Sequence, residues 1–259
     1  MDPRLFRGTV KYYLKYRSTY PVRLIERVAW LCQLTRSSRV LDLGSGPGIL
    51  ARAFAPHCGE VVCVDPEPGM IEMAREHLAD LGSKASFLCA SAEEMPCSLG
   101  PFSLVAIGRA FHWMDRTATL KRLDSMLDTS GAVVLFRDPA MKLPENDWRK
   151  EFDAVFSAFA TTEAARLGAR TLPIAIDEAH LLRSSFCELE RISAVETRSL
   201  TIDHAVGRAF SMAGASPGDL GDRLPAFEEA MRSALAPFAP SGTLTEITEP
   251  QALIARRPR

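Results

Sequence analysis

The sequence predicts an α/β fold in which helices cover both faces of a doubly wound, mostly parallel sheet. Two observations carry this prediction. Short β-branched or leucine-rich segments alternate with amphipathic helical segments from about residue 18 to 137, and strands that alternate with helices in this way pair in parallel. The first strand also runs directly into a loop of three glycines, which is typical of ligand-binding sheets of this class.

Composition is that of an ordinary folded protein. The chain has 259 residues, 31 basic and 32 acidic, a formal net charge of -1, and 47% hydrophobic residues. Disordered chains are less apolar and more strongly charged, and the near-neutral balance predicts no nucleic-acid partner. No apolar run approaches the roughly 18 residues of a membrane-spanning helix, and the N-terminus has no apolar core of a secretory signal. We expect a cytoplasmic protein without a membrane partner.

The six cysteines form no CxxC pair, and no two histidines have the spacing of a metal site on a helix. We therefore predict no metal site. Most of the cysteines are flanked by apolar residues, so they are interpreted as small core residues in a reducing compartment. The oligomeric state stays open, a homo-oligomer included.

The elements up to residue 137 follow from the spacing of apolar residues. A basic, tyrosine-rich segment, 1–20, precedes a helix that Pro21 is placed to begin. Strands are predicted over 40–43, 61–64, 85–89, 104–107 and 132–136. Helices are predicted over 49–55, over 70–81 with Gly82 at the end, and from the N-cap Asp115 to Leu127.

Composition changes near residue 138. Apolar residues including Trp148 and Phe152 predict a helix within 144–184, which we interpret as an insertion packed over the sheet. Strands over 188–195 and 197–202, helices over 203–212 and 225–236, and a last strand over 243–255 are expected to follow. The predicted organisation is a lid segment, a cofactor-binding domain, a helical insertion that forms substrate walls, and a region that completes the sheet: 1–20, 21–137, 138–185 and 186–259.

The segment VLDLGSGPG at 40–48 is the sharpest functional signal. Its three glycines allow a tight turn and close approach of a ligand. Asp65 ends the next strand, where a carboxylate can accept hydrogen bonds from ribose hydroxyls. The spacing is GxGxG rather than the GxGxxG of dinucleotide sites. Asp42, two residues before the first glycine, would repel a pyrophosphate and favours a cationic ammonium or sulfonium ligand instead.

This segment resembles motif I of the class I S-adenosylmethionine-dependent methyltransferases. The chain is more narrowly similar to small-molecule methyltransferases of the trans-aconitate methyltransferase type, which include antibiotic-tailoring enzymes. The stretches 16–21 (YRSTYP), 92–96 (AEEMP) and 110–115 (AFHWMD) carry that likeness, with Ser18 where proline is usual. The resemblance implies a seven-stranded, Rossmann-like sheet and S-adenosylmethionine as cofactor.

The resemblance also assigns cofactor contacts. Gly44, Ser45 and Gly46 would lie against the methionine part, and Asp65 would hold the ribose. Arg17 is a candidate for the methionine carboxylate. The remaining contacts implied, to the adenine and to the methionine amine, are Pro66, Met70, Ser91, Ala92 and Gly108. Ser91 stands where many relatives have an aspartate, which implies that the contact with the adenine amine is either weaker or made by the backbone.

Methyl transfer from a sulfonium needs alignment and exclusion of water more than acid–base chemistry. Candidate catalytic residues are His112, a possible base for a hydroxyl acceptor, and Tyr16. Candidate substrate contacts come from the lid, from the segment after the fourth strand and from the insertion: Tyr12, Arg109, Phe111, Trp113, Trp148 and Phe152.

The predicted function is methyl transfer to a nitrogen or oxygen of a small molecule, with a natural-product intermediate as the favoured acceptor. Two alternatives remain. A carboxylate acceptor would need no base and would pair with Arg109. An RNA acceptor would use the basic, aromatic N-terminus, but the near-neutral chain disfavours it.

Overall fold

The computed structural model describes residues 8–161 and 174–258. Its helices are α1 (Val10–Tyr16), α2 (Val22–Leu31), α3 (Ile49–Phe54), α4 (Pro68–His77), α5 (Arg116–Asp124), α6 (Trp148–Phe159), α7 (Ile174–Leu182), α8 (Ile202–Phe210), α9 (Pro217–Leu220) and α10 (Leu224–Leu235). Its strands are β1 (Arg39–Leu43), β2 (Glu60–Asp65), β3 (Ala85–Cys89), β4 (Phe102–Gly108), β5 (Leu127–Arg137), β6 (Glu188–Ser193), β7 (Glu196–Thr201), β8 (Thr243–Thr248) and β9 (Gln251–Arg256).

The main sheet has seven strands in the order β3-β2-β1-β4-β5-β9-β6. Strands β1 to β5 pair in parallel, while β9 is antiparallel to both β5 and β6. The chain order reverses at β1, which therefore lies beside β4 as well as β2. The predicted doubly wound, mostly parallel sheet of seven strands is confirmed, and its crevice lies where such sheets bind ligands.

Both faces of the sheet are buried, because alternate residues of each strand point to opposite sides. Val40 of β1 packs in one apolar cluster with α2 and α3. Leu41, its neighbour, packs in a second cluster with α5 and α7. This two-sided burial explains why the central strands have an almost continuous apolar sequence.

A third apolar cluster lies apart from the two sheet faces. It joins α6, α8 and α10 through Trp148, Phe152 and Phe156 of α6 and Phe227 of α10. Strands β7 and β8 pair with each other as an antiparallel ribbon that is separate from the seven-stranded sheet and lies next to these helices. Thr248, the last residue of β8, also forms an isolated bridge with Ala140. The single last strand predicted over 243–255 is therefore wrong: the chain turns at Glu249 and Pro250 and divides it into β8 and β9.

Two smaller predictions need correction. Leu127 begins β5 rather than ending the preceding helix, which stops at Asp124. Cys89 and Cys97 are exposed, so only some of the cysteines are core residues. Part of the predicted insertion, residues 162–173, and the first seven residues of the predicted lid lie outside the described residues. Within the described chain, no helix combines the length and apolar character needed to cross a membrane.

Candidate functional site

A pocket of about 720 Å³ opens at the carboxyl ends of β1, β2, β3 and β4. Neighbouring parallel strands end at one edge, so the short segments after each strand meet there. Eight of the eleven predicted cofactor residues line it: Gly44, Gly46, Asp65, Pro66, Met70, Ser91, Ala92 and Gly108. We call it the first pocket.

The glycine loop forms the floor of the first pocket in a conformation that ordinary residues avoid. Gly44 has a φ of 67° and Gly46 a φ of 51°. A Cβ atom at Gly44 would come within 2.5 Å of the Ala110 Cβ atom. Glycine is therefore required at position 44 for both its backbone angle and its close approach to the segment after β4.

Asp65 joins the ends of β1 and β2. Its Oδ2 accepts a hydrogen bond from the Gly46 amide at 2.8 Å, and its Oδ1 accepts one from the Glu67 amide at 2.9 Å. Burial raises the pKa of this carboxyl, and the two amide donors oppose the rise. Each oxygen keeps a lone pair for a further donor, so the side chain can bind hydroxyl groups while it holds the loop.

Asp42 and Ser45 are buried but do not line the first pocket. The Oδ2 atom of Asp42 accepts a hydrogen bond from the Ala51 amide at 2.8 Å. Gly48, the residue before α3, has no side chain to cap the helix, so Asp42 caps it from β1. Burial raises the pKa of Asp42 to about 8. The structure thus gives Asp42 a role in holding α3 behind the loop.

Helix α1 covers the first pocket. Tyr13 lines the pocket and lies close to Gly46. On its other side α1 packs on α8, where the Tyr16 ring lies directly over Gly207: a Cβ atom there would come within 2.4 Å of the ring. Tyr12 packs edge-on against Phe210, with ring centroids 5.3 Å apart. The small residue on α8 lets α1 bridge the sheet and the helical cluster.

A second pocket of about 600 Å³ adjoins the first. Arg109 lines both pockets, and it has a φ of 56°, which is strained for a residue with a side chain. The second pocket is lined by residues from the end of α1, the ends of β4 and β5, α6, α8 and β8: Arg17, Ser18, Arg109, Asp138, Trp148, Arg149, Phe152, Asp153, Arg208, Met212, Glu246 and Thr248.

Arginines and carboxylates hold this second pocket together. Arg109 Nη1 pairs with Asp138 at 2.9 Å. Glu246 is 1% exposed and accepts hydrogen bonds from both Arg149 and Arg208. These arginines lower the pKa of Glu246 against the effect of burial, which raises it. Arg17 donates to the Ser211 carbonyl at 3.0 Å and lies over the Tyr13 ring.

His112 lies in the turn after β4, half-buried and against Trp113 at 4.9 Å between ring centroids. Burial, with the charges of Arg137 and Arg116, lowers its pKa to about 4. The imidazole is therefore neutral at physiological pH and is a weak base. His112 lines neither pocket, and Phe111 is buried in the sheet core.

The predicted substrate and cofactor residues are divided between the two pockets. Trp113 lies at the first pocket, Trp148 and Phe152 at the second, and Arg109 at both. Arg17 lies at the second pocket rather than the first. Asp138, Arg149, Arg208 and Glu246 were not predicted, because no local motif marks them and only the fold brings them together. Among the described residues, no group of three or more His, Cys, Asp or Glu side chains could hold a metal ion.

Comparison with known proteins agrees with this geometry. Residues 40–131 match the model of a family described as a methyltransferase domain. The chain is 31% identical over 130 residues to an uncharacterized methyltransferase of Mycobacterium bovis, which covers 50% of each chain. It is 31% identical over 98 residues to a ubiquinone biosynthesis O-methyltransferase of Azorhizobium caulinodans, covering 38% of this chain and 39% of that one.

The chain spans about half the length of the mycobacterial methyltransferases that it matches. The whole structure is similar to a SAM-dependent methyltransferase of Geobacter sulfurreducens solved with S-adenosyl-L-homocysteine, with a TM-score of 0.57 over 99% of this chain and 98% of that one at 16% identity. The predicted resemblance is thus confirmed: residues 40–131 match a methyltransferase domain, and the structure has the fold of a SAM-dependent methyltransferase.

Proposed function

We propose that the protein transfers a methyl group from S-adenosylmethionine to a nitrogen or oxygen atom of a small molecule, with natural-product (antibiotic-type) intermediates as the favoured acceptors. The observation that supports this most strongly is the first pocket. Four strand ends bring eight predicted cofactor residues around one cavity, although the residues are spread from position 44 to position 108.

The residues that line the first pocket suit the cofactor in their chemistry. Asp65 offers two carboxylate oxygens for the ribose hydroxyls. The glycine backbone at Gly44 and Gly46 lines the pocket without side chains, so the methionine part can approach the main chain there. The adenine and the methionine amine are assigned to the other lining residues: Pro66, Met70, Ser91, Ala92 and Gly108. Asp42 and Ser45 support the loop from behind.

S-adenosylmethionine, when bound, supplies a methyl group whose leaving group is a neutral thioether. The protein has to align the acceptor and exclude water. Helix α1 covers the first pocket through Tyr13, and we assign it, with the rest of segment 1–20, the role of a lid that opens for ligand exchange. Tyr16 serves this lid by packing on Gly207.

The acceptor is assigned to the second pocket, which α1 and α6 enclose and which meets the first at Arg109. Trp148 and Phe152 give it an apolar wall. His112 lines neither pocket, so it is the candidate base only for a hydroxyl acceptor that reaches the turn after β4. His112→Ala should then reduce kcat by two orders of magnitude or more, whereas an amine acceptor that binds deprotonated should leave kcat within threefold.

A transfer assay with radiolabelled S-adenosylmethionine against amines, phenols and carboxylic acids tests the proposal. Calorimetry with S-adenosylhomocysteine tests the cofactor separately. We expect binding of the cofactor product and methylation of at least one small molecule. Efficient methylation of a transfer RNA or a protein, with no small molecule accepted, would overturn the assignment of the acceptor. Failure to bind S-adenosylhomocysteine would overturn the assignment of S-adenosylmethionine as the cofactor.

A further inference from the structure

We propose that the second pocket binds a carboxylate of the methyl acceptor through the guanidinium groups of Arg17 and Arg149, and that this carboxylate anchors the acceptor without being methylated. The inference rests on the proposed function in one respect, that the occupant of this pocket is the acceptor. The pocket's affinity for a carboxylate stands on the geometry alone.

The first observation is the balance of charge. Four arginines and three carboxylates line the second pocket: Arg17, Arg109, Arg149, Arg208, Asp138, Asp153 and Glu246. Arg109 is paired with Asp138, but Arg149 and Arg208 share the single carboxylate of Glu246. The walls therefore carry an excess of one positive charge, beside an apolar surface that screens it poorly.

The second observation is the environment of the Arg17 guanidinium. Arg17 donates to the Ser211 carbonyl and lies 5.2 Å from the centre of the Tyr13 ring. Within the described part of the chain, no carboxylate pairs with it, and its Nε atom is buried without a hydrogen-bond partner. Arg17 is half-buried, and burial lowers the pKa of its guanidinium, because part of the charge is removed from water. A desolvated cation without a counter-ion is costly, and an anionic ligand would remove that cost.

The third observation is that other unpaired polar atoms lie around the same cavity. The Arg109 Nε and Thr248 Oγ1 atoms are buried, and neither has a hydrogen-bond partner among the described residues. Both residues line the second pocket. Buried polar atoms are nearly always hydrogen-bonded in folded proteins, so three such atoms around one cavity indicate a polar ligand there.

The same features favour a carboxylate over a phosphate. Asp138, Asp153 and Glu246 line the pocket too, and they would repel a dianion more strongly than a monoanion. Guanidinium groups bind a planar carboxylate with two parallel hydrogen bonds. Trp148 and Phe152 give the organic part of the acceptor an apolar surface. The expected acceptor is thus a small aromatic or aliphatic acid that carries its nucleophile on another atom.

Calorimetry on the full-length protein saturated with S-adenosylhomocysteine tests the proposal with benzoate, benzamide and benzylamine as probes. We expect benzoate to bind at least tenfold more tightly than benzamide, and benzylamine not to bind. Arg149→Gln and Arg17→Gln should each weaken benzoate binding at least tenfold and keep S-adenosylhomocysteine affinity within threefold. The matched control is Arg232→Gln, which removes an arginine of an exposed pair with Asp203 and should change neither affinity.

The outcomes separate the two proposals. Equal affinity for benzoate and benzamide, no detectable benzoate binding, or unchanged benzoate affinity in both variants would overturn the anchor. Loss of S-adenosylhomocysteine affinity in Arg17→Gln, with benzoate affinity retained, would assign Arg17 to the cofactor and overturn it as well. If the protein does not bind S-adenosylhomocysteine, the proposed function fails, and the same benzoate titration of the ligand-free protein still decides whether the pocket binds a carboxylate.

Discussion

The Asp65 carboxylate accepts a hydrogen bond from the Gly46 amide across 2.8 Å, although 19 residues separate the two in sequence. The contact fixes the loop after β1 to the end of β2. One acidic side chain thus positions the glycine backbone and also lines the first pocket. The loop and the acid are therefore one structural unit, and a substitution in either should change both.

Asp65→Ala should weaken S-adenosylhomocysteine binding at least tenfold. The variant loses a charged acceptor for hydroxyl groups, which is worth about 1.5–3 kcal/mol, and releases the Gly46 amide. Calorimetry measures the change, and circular dichroism verifies that the variant is folded. Asp80→Ala is the control, since Asp80 pairs with Arg52 on the surface. An unchanged affinity in folded Asp65→Ala would remove Asp65 from the cofactor site.

Gly207→Ala should displace α1 without unfolding the protein. The new Cβ atom would lie within 2.4 Å of the Tyr16 ring, while alanine itself favours a helix over glycine by about 1 kcal/mol. We expect kcat to fall at least tenfold at an unchanged or higher melting temperature. The effect should vanish in a Tyr16→Ala background, where the ring is gone. Gly218→Ala, which meets no close neighbour, controls for the substitution itself.

Asp42→Asn should stabilise the ligand-free protein increasingly as the pH rises. The folded-state pKa of Asp42 is raised to about 8, above its usual value. The stability that this shift contributes is full at low pH and is lost as the pH rises through about 8. An asparagine cannot ionise, and its Oδ1 atom can still accept from the Ala51 amide. Urea denaturation should show that the variant gains more unfolding free energy at pH 9 than at pH 5. Equal gains at the two pH values would contradict the raised pKa of Asp42.

His112→Gln should remove an acid sensitivity. The folded-state pKa of His112 is lowered to about 4, so its contribution to stability is present above pH 6.5 and is lost as the pH falls towards 4. The difference in unfolding free energy between pH 7.5 and pH 4 should therefore be smaller in the variant, by about 3 kcal/mol at most. Denaturant titrations at both pH values measure this, and identical pH dependence in the two proteins would contradict a depressed pKa.

The sheet and the first pocket could be predicted because their signals are local. Each central strand is a short apolar run, and the glycine loop and Asp65 directly follow two of them. The cap Asp115 was predictable for the same reason: its side chain accepts a hydrogen bond from the Ala118 amide three residues later.

The second pocket could not be predicted from sequence. Its polar walls come from residues as distant as Arg17 and Glu246, which only the packing of α1, α6, α8 and β8 brings together. The aromatic residues of α6 were predicted to form part of a substrate wall, although an apolar stripe on a helix more often packs in a core. Trp148 and Phe152 are buried in the third cluster and line the second pocket as well, so the two interpretations do not exclude each other.

The third apolar cluster supports the second pocket, whereas the sheet supports the first. The first pocket is built on strand ends whose residues also form the sheet core, so most changes there would loosen the fold. Much of the second pocket is built on α6, which packs chiefly against α10, and on α8, which packs against α1 and α10. Substitutions on the inner faces of α6 and α8 would therefore disturb the third cluster rather than the sheet, so the shape of the second pocket can change while the strand ends that form the first pocket stay in place.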